Sequence, residues 1–175
     1  DRLCEGNCVI EHSGHETVTI GALEKYITDT AWEEGWVKVN TPVNSVDKSV
    51  GIIGAGPGGL AAADRLRQAG LEVTIYDRYD RAGGLLTYGI PGFKLEKDVV
   101  MRRNEQLEKS GIKFVLNTNV GEDITFDEIR EKHDFVILAT GVYKARELDI
   151  PNGDLNGKVA ALDYLTASNR LSFGD

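Results

Sequence analysis

Cysteine, methionine and long apolar runs are what this 175-residue sequence has least of. Its two cysteines, Cys4 and Cys8, are too few for the disulfide framework of a small secreted scaffold. Met101 is the only methionine, so no initiator opens the chain, and the sequence reads as part of something longer. No apolar stretch approaches the roughly 20 residues that a membrane-spanning helix needs. The first ten residues carry Asp1, Arg2 and Glu5 where a signal peptide would have a basic start and an apolar run. Lys and Arg number 20 against 28 Asp and Glu, a formal net charge of −8. That argues against a nucleic-acid partner, because neutralising phosphates takes clustered cations. No Ser/His/Asp set has an informative spacing, and no pair of carboxylates is placed for acid–base work. No residue is therefore nominated as catalytic. The expected setting is a reducing cytoplasm with no membrane contact.

What remains is the composition of a globular domain, 41% hydrophobic and 27% charged. Residues 1–17 read as polar and irregular. Ile20, Leu23, Ile27 and Ala31 then recur at helical spacing, and Gly35 is placed to end a helix running from Val18 to Trp36. A stretch without periodicity follows, so the expected division is a helical part over 1–40, a linker over 41–48 and a second domain over 49–175. From there strands and helices alternate. Val50–Ile53, Glu72–Tyr76, Ile112–Asn117 and Phe135–Ala139 read as strands. Gly59–Ala69 and Asp98–Ser110 read as helices. Thr125 to Glu128 fits a capping box opening a short helix to Lys132. The alternation implies an α/β domain around a parallel sheet.

One motif stands in the right context within this pattern. Gly54-Ala55-Gly56-Pro57-Gly58-Gly59 follows the first strand and opens the first helix of the βαβ unit. In a dinucleotide-binding unit the first glycine permits the tight turn, the second lets backbone approach a pyrophosphate, and the third lets helix pack on strand. The helix start offers unpaired N–H groups to the phosphates. The second strand ends at Asp77, whose carboxylate can accept from a ribose hydroxyl and disfavours a 2′-phosphate, which argues against NADP at this site. Gly83-Gly84-Leu85 after that strand would let backbone approach a large planar ring. Tyr88 to Gly92 reads as a loop. Thr140-Gly141 closes the last strand. Together these favour FAD over NAD.

The same residues resemble the flavin-dependent pyridine-nucleotide oxidoreductases. The resemblance extends to a narrower family, the small (β) subunit of NADPH-dependent glutamate synthase. It is carried by Leu3-Cys4-Glu5-Gly6-Asn7-Cys8, by Thr19 to Trp32, by Gly83-Gly84-Leu85-Leu86 with Tyr88-Gly89-Ile90-Pro91, and by Ala161 to Leu165. It implies a Rossmann-like FAD-binding domain preceded by the end of a helical iron–sulfur domain. Cys4 and Cys8 would be the last two of four thiolates on a [4Fe–4S] cluster; the sequence contains no others. The cofactor-binding candidates are Gly54, Gly56, Pro57, Gly58, Gly59, Asp77, Gly83, Gly84, Leu85, Val120, Thr140 and Gly141. NADPH would bind in a second nucleotide domain that this sequence does not contain. Electrons would pass from NADPH through FAD and iron–sulfur clusters to the large (α) subunit of glutamate synthase. A related iron–sulfur flavoprotein, such as a ferredoxin–NADP reductase subunit or a dihydropyrimidine dehydrogenase, is the second reading. A non-catalytic fold is the third. His12 and His15 are expected as exposed loop residues, and His133 as a surface residue favourable to a helix C-terminus.

Overall fold

A computed structural model describes residues 3–146, 149–151, 153 and 155–175. The chain falls into two compact units, Asp1–Val39 and Asn40–Asp175. The first holds the helices α1 (Leu3–Gly6), α2 (Val9–His12) and α3 (Ile20–Glu33). The first two occupy a stretch whose residue pattern reads as irregular. A four-residue turn is too short to show periodicity. Glu5 ties α1 to α3 by accepting the Ala22 N–H at 2.9 Å. No residue of α3 is buried, and Ile20, Leu23, Tyr26 and Ile27 are all exposed.

The second unit runs β1 (Ser49–Ile53), α4 (Pro57–Gln68), β2 (Glu72–Tyr76), α5 (Leu85–Tyr88), α6 (Lys97–Lys109), β3 (Lys113–Val115), α7 (Phe126–Lys132), β4 (Phe135–Leu138) and α8 (Ala161–Phe173). Its four strands form one parallel sheet in the order β3-β2-β1-β4. On one face Val50, Ile52, Val73 and Ile75 of the strands bury against Leu60 and Ala63 of α4 and Leu107 of α6. On the other, Ile53 and Tyr76 meet Ile129 of α7. This is an α/β Rossmann-like sheet with helices on both sides. The capping box at Thr125 is formed, with Glu128 N–H donating to the Thr125 hydroxyl and Thr125 N–H to the Glu128 carboxylate. Among the described residues no helix is long and apolar enough to cross a membrane.

His133 departs from its expected surface role. Its ring packs over Gly51 of β1, where an added Cβ would stand 2.6 Å from the imidazole. Its Nε2 lies 3.0 Å from the Tyr76 hydroxyl. Burial pushes its pKa down, with Lys132 adding to the effect. A half-buried ring packed on β1 replaces the expected surface residue at the helix end. The segment from Leu85 also differs: Tyr88 is the last residue of α5 and not part of a loop.

Candidate functional site

The sheet order places a crevice at the carboxyl end of β1. From there the chain goes to β2 on one side, while β4 pairs on the other. In doubly wound sheets ligands bind outside the strand ends at such a reversal. The glycine-rich turn sits there. Gly54 has φ +110, and a Cβ on it would stand 2.4 Å from the Ala139 carbonyl oxygen. Gly59 lies so close behind the turn that a Cβ would come within 1.9 Å of the Gly54 oxygen. Both glycines are therefore required by the protein's own packing. Gly56 and Gly58 differ, because a Cβ on either meets nothing within 4 Å. They leave open space in front of the first turn of α4. Pro57 stands at the start of that helix, where the missing N–H costs no intrahelical bond. The other first-turn N–H groups have no intrahelical acceptor and face the same end of the helix.

Asp77 has a second task beyond the one its position suggests. It is buried, and its Oδ2 accepts the Ala55 N–H at 2.6 Å while Oδ1 accepts the Tyr79 N–H at 2.9 Å. One carboxylate thus fixes the turn after β1 and the turn after β2. Each oxygen keeps further lone-pair capacity for a ribose hydroxyl. Gly83 and Gly84 also have a packing reason. Gly83 N–H donates to the Ala55 carbonyl at 2.8 Å, and a Cβ on Gly84 would stand 2.7 Å from the Gly56 Cα. A Cβ on Gly83 would stand 2.2 Å from the Thr87 hydroxyl, so both glycines meet close neighbours within the protein itself.

Two adjoining cavities share Gly54, Asp77, Thr140, Gly141 and Tyr143. One, of about 310 Å³, extends past Tyr76 and Asp77 to Thr118, Asn119 and Val120. The other, of about 320 Å³, extends over Gly56, Pro57 and Gly58 to Leu85 and Val142. The candidates Gly54, Gly56, Pro57, Gly58, Asp77, Leu85, Val120, Thr140 and Gly141 therefore line one continuous cleft. Gly59, Gly83 and Gly84 support it from behind. Arg78, Tyr79 and Tyr143 escaped the sequence reading. The Arg78 guanidinium lies 4.4 Å from the Tyr143 ring centre and 5.0 Å from that of Tyr79, at the cavity that reaches Thr118 and Val120. The signal for the first two was adjacency to Asp77; for Tyr143 it was its position two residues past Gly141.

Cys4 and Cys8 are both free thiols. A hydrogen bond from the Val18 backbone, with smaller ones from Glu11 and Ile10, holds the Cys8 thiol below the usual range. Among the described residues no three His, Cys, Asp or Glu side chains are grouped to hold a metal ion, so neither histidine joins the cysteines. Two thiols fall short of the four that a [4Fe–4S] cluster takes. The side chains of this sequence alone do not fit the cluster.

Residues 48–175 match the family model described as pyridine nucleotide-disulphide oxidoreductase. The chain belongs to that family. Residues 1–36 match a second model, dihydropyrimidine dehydrogenase domain II, 4Fe-4S cluster. The first match implies FAD or NAD(P) as the nucleotide, and the second a [4Fe–4S] cluster in the longer proteins of that kind. The chain is 74% identical to a Cereibacter sphaeroides protein provisionally described as a glutamate synthase [NADPH] small chain, over all of this chain and 42% of that one. It is 61% identical to the glutamate synthase [NADPH] small chain of Azospirillum brasilense, over all of this chain and 36% of that one. It thus spans about two fifths of the length of these relatives. Among solved structures it resembles Mycobacterium tuberculosis FprA in complex with NADPH, with TM-score 0.63 and 28% identity over 70% of this chain and 29% of that one.

Proposed function

We propose that this chain holds FAD in the cleft at Gly54–Gly59 and serves an NADPH-oxidising flavoprotein of the glutamate synthase small-chain type. The observation that carries the reading is the contrast inside the glycine turn. Gly54 and Gly59 are filled by the protein's own atoms, whereas Gly56 and Gly58 face open space beside unpaired helix N–H groups. A pyrophosphate fits that space. In this reading Asp77 accepts from the ribose while continuing to hold the Ala55 N–H, and Val120 lies beside the adenosine half. Leu85, Thr140 and Gly141 lie toward the flavin half, with Gly83 and Gly84 keeping that wall against the turn. When bound, FAD supplies acceptance of a hydride from NADPH and release of electrons one at a time. The chain's own residues bind, orient and cover it; none is assigned a proton to move.

The proposed division is a helical iron–sulfur part over 1–40, a linker over 41–48 and the FAD-binding domain over 49–175. Cys4 and Cys8 belong, in this reading, to a four-cysteine set whose other members lie outside this sequence. The proposed partner is the large (α) subunit of glutamate synthase, in the cytoplasm, with glutamate formation as the parent activity. The identity to small chains supports this. The match of residues 1–36 favours, as a second reading, an iron–sulfur flavoprotein of the dihydropyrimidine dehydrogenase kind. The test is the visible spectrum of the purified chain, before and after addition of FAD. Stoichiometric flavin, retained through gel filtration, is expected. A colourless chain that also takes up no FAD would sink the reading.

A further inference from the structure

The turn at Leu85–Tyr88 is too short to be stable alone, since one helical turn fixes its dihedrals for little hydrogen bonding. Distant side chains hold it. Asn169 of α8 is 3% exposed, and its Nδ2 donates to the Tyr88 carbonyl at 3.0 Å and to the Leu165 carbonyl at 2.9 Å. The first of these spans 81 residues. Lys97 of α6 donates from its ammonium to the Leu86 carbonyl at 3.0 Å and to the Ile90 carbonyl. Tyr88 donates its hydroxyl to Asp80, and Arg81 forks onto Asp175 just past α8 at 2.7 and 3.0 Å. Burial first, then the bond to Asp80, pushes the Tyr88 phenol up to about 12, so it remains a donor. The far end of this chain of contacts is the cleft: Leu85 lines it, and Gly84 rests on Gly56.

We infer that α8 braces this wall of the cleft and that Asn169 is a positioning residue, fixing α5 against the flavin half of the dinucleotide. The inference rests on the FAD reading above. It follows from where α5 stands. Leu85 borders the cavity over Gly56–Gly58, whereas Thr118, Asn119 and Val120 border the adenosine side without it. Loosening α5 therefore affects one half of the ligand more than the other.

The test is calorimetric titration of the chain with FAD and with ADP. Asn169→Leu keeps the branched shape and removes the donor. It is expected to weaken FAD by about tenfold, the equivalent of one buried carbonyl left unpaired, and to leave ADP within about twofold. Where the leucine variant does not fold, Asn169→Ser makes the same comparison. Its short hydroxyl still reaches the Leu165 carbonyl one turn back but not Tyr88. Unchanged FAD affinity overturns the brace. So does an equal loss of FAD and ADP, which is what a merely structural residue would give. A wild-type chain that binds ADP but not FAD also overturns it. One that binds neither ligand overturns the dinucleotide reading as well.

Discussion

The two walls of the cleft are built by opposite means. The wall at β1 and β2 is local: the turn after one strand is tied to the turn after the next by Asp77, and Gly59 of the adjoining helix packs directly behind it. The wall at α5 is remote. It has little helix of its own and hangs from side chains of α6 and α8. The first wall belongs to the sheet core and should melt only with it. The second depends on a few polar contacts, each worth about 1 kcal/mol, and can shift while the sheet stays folded. In the reading proposed here, the first wall holds the part common to many dinucleotides and the second the part that differs.

The sharpest break separates two glycines of the first wall. Gly59→Ala puts a methyl where a backbone oxygen stands 1.9 Å away, and the helix must move off the strand. It is expected to cost about 3 kcal/mol or more by denaturant unfolding, at the upper end for overpacking. Gly56→Ala meets nothing and is expected to change stability by less than about 1 kcal/mol. It should nevertheless weaken FAD binding, because the new methyl occupies the space left for phosphate. Equal destabilisation by the two would erase the packing contrast, and unchanged FAD affinity in Gly56→Ala would show that the open space is not a ligand's.

A paired comparison sets one wall against the other. Asp77→Ala strands two backbone N–H groups that now bond to a buried carboxylate. About 2–4 kcal/mol of stability should go, with FAD and ADP weakened together. Lys97→Met leaves the Leu86 and Ile90 carbonyls without their ammonium. About 1 kcal/mol is expected, since solvent can reach part of that site, and FAD should suffer more than ADP. The same ranking of FAD and ADP in both variants would erase the distinction between the walls.

The local wall was legible in the sequence and the remote one was not, for a physical reason. A glycine turn between an apolar strand and a helix, with an acid at the end of the next strand, is written in contiguous residues. So were the four strands, with β3 shorter than its apolar run because Asn117 turns away at φ +52. What sequence order does not show is which distant side chain reaches which carbonyl. Asn169 sits in an unremarkable polar stretch, and its partner lies 81 residues away. The glycines at 83 and 84 were seen, but not their packing inside the chain, where Gly83 meets Thr87 and Gly84 meets Gly56. His133 was misplaced for the same reason. Only the register of β1 and β2 reveals that Gly51 leaves room for its ring beside Tyr76.

The smallest expected effect is at the other end of the sheet, where neither wall should respond. Asp134 accepts from Lys48 at 2.6 Å and from the Ser49 N–H at 2.9 Å, tying the amino ends of β4 and β1. The Lys48 hydrogen bond, then that of the Ser49 backbone, lowers its carboxyl from 3.8 to about 2. A carboxyl with a depressed folded pKa stabilises the fold above its unfolded value. That stabilisation is lost as pH falls from about 4 through about 2. The pair is exposed, so the effect is a small shift of the acid-unfolding midpoint and is weakened further by salt. Asp134→Asn is expected to flatten the pH dependence of stability in that window. At neutral pH it should leave the FAD and ADP affinities in the same ratio as the wild type. An altered ratio would mean that strain at the sheet's amino end reaches the cleft, and that the two walls are not independent of the strands between them.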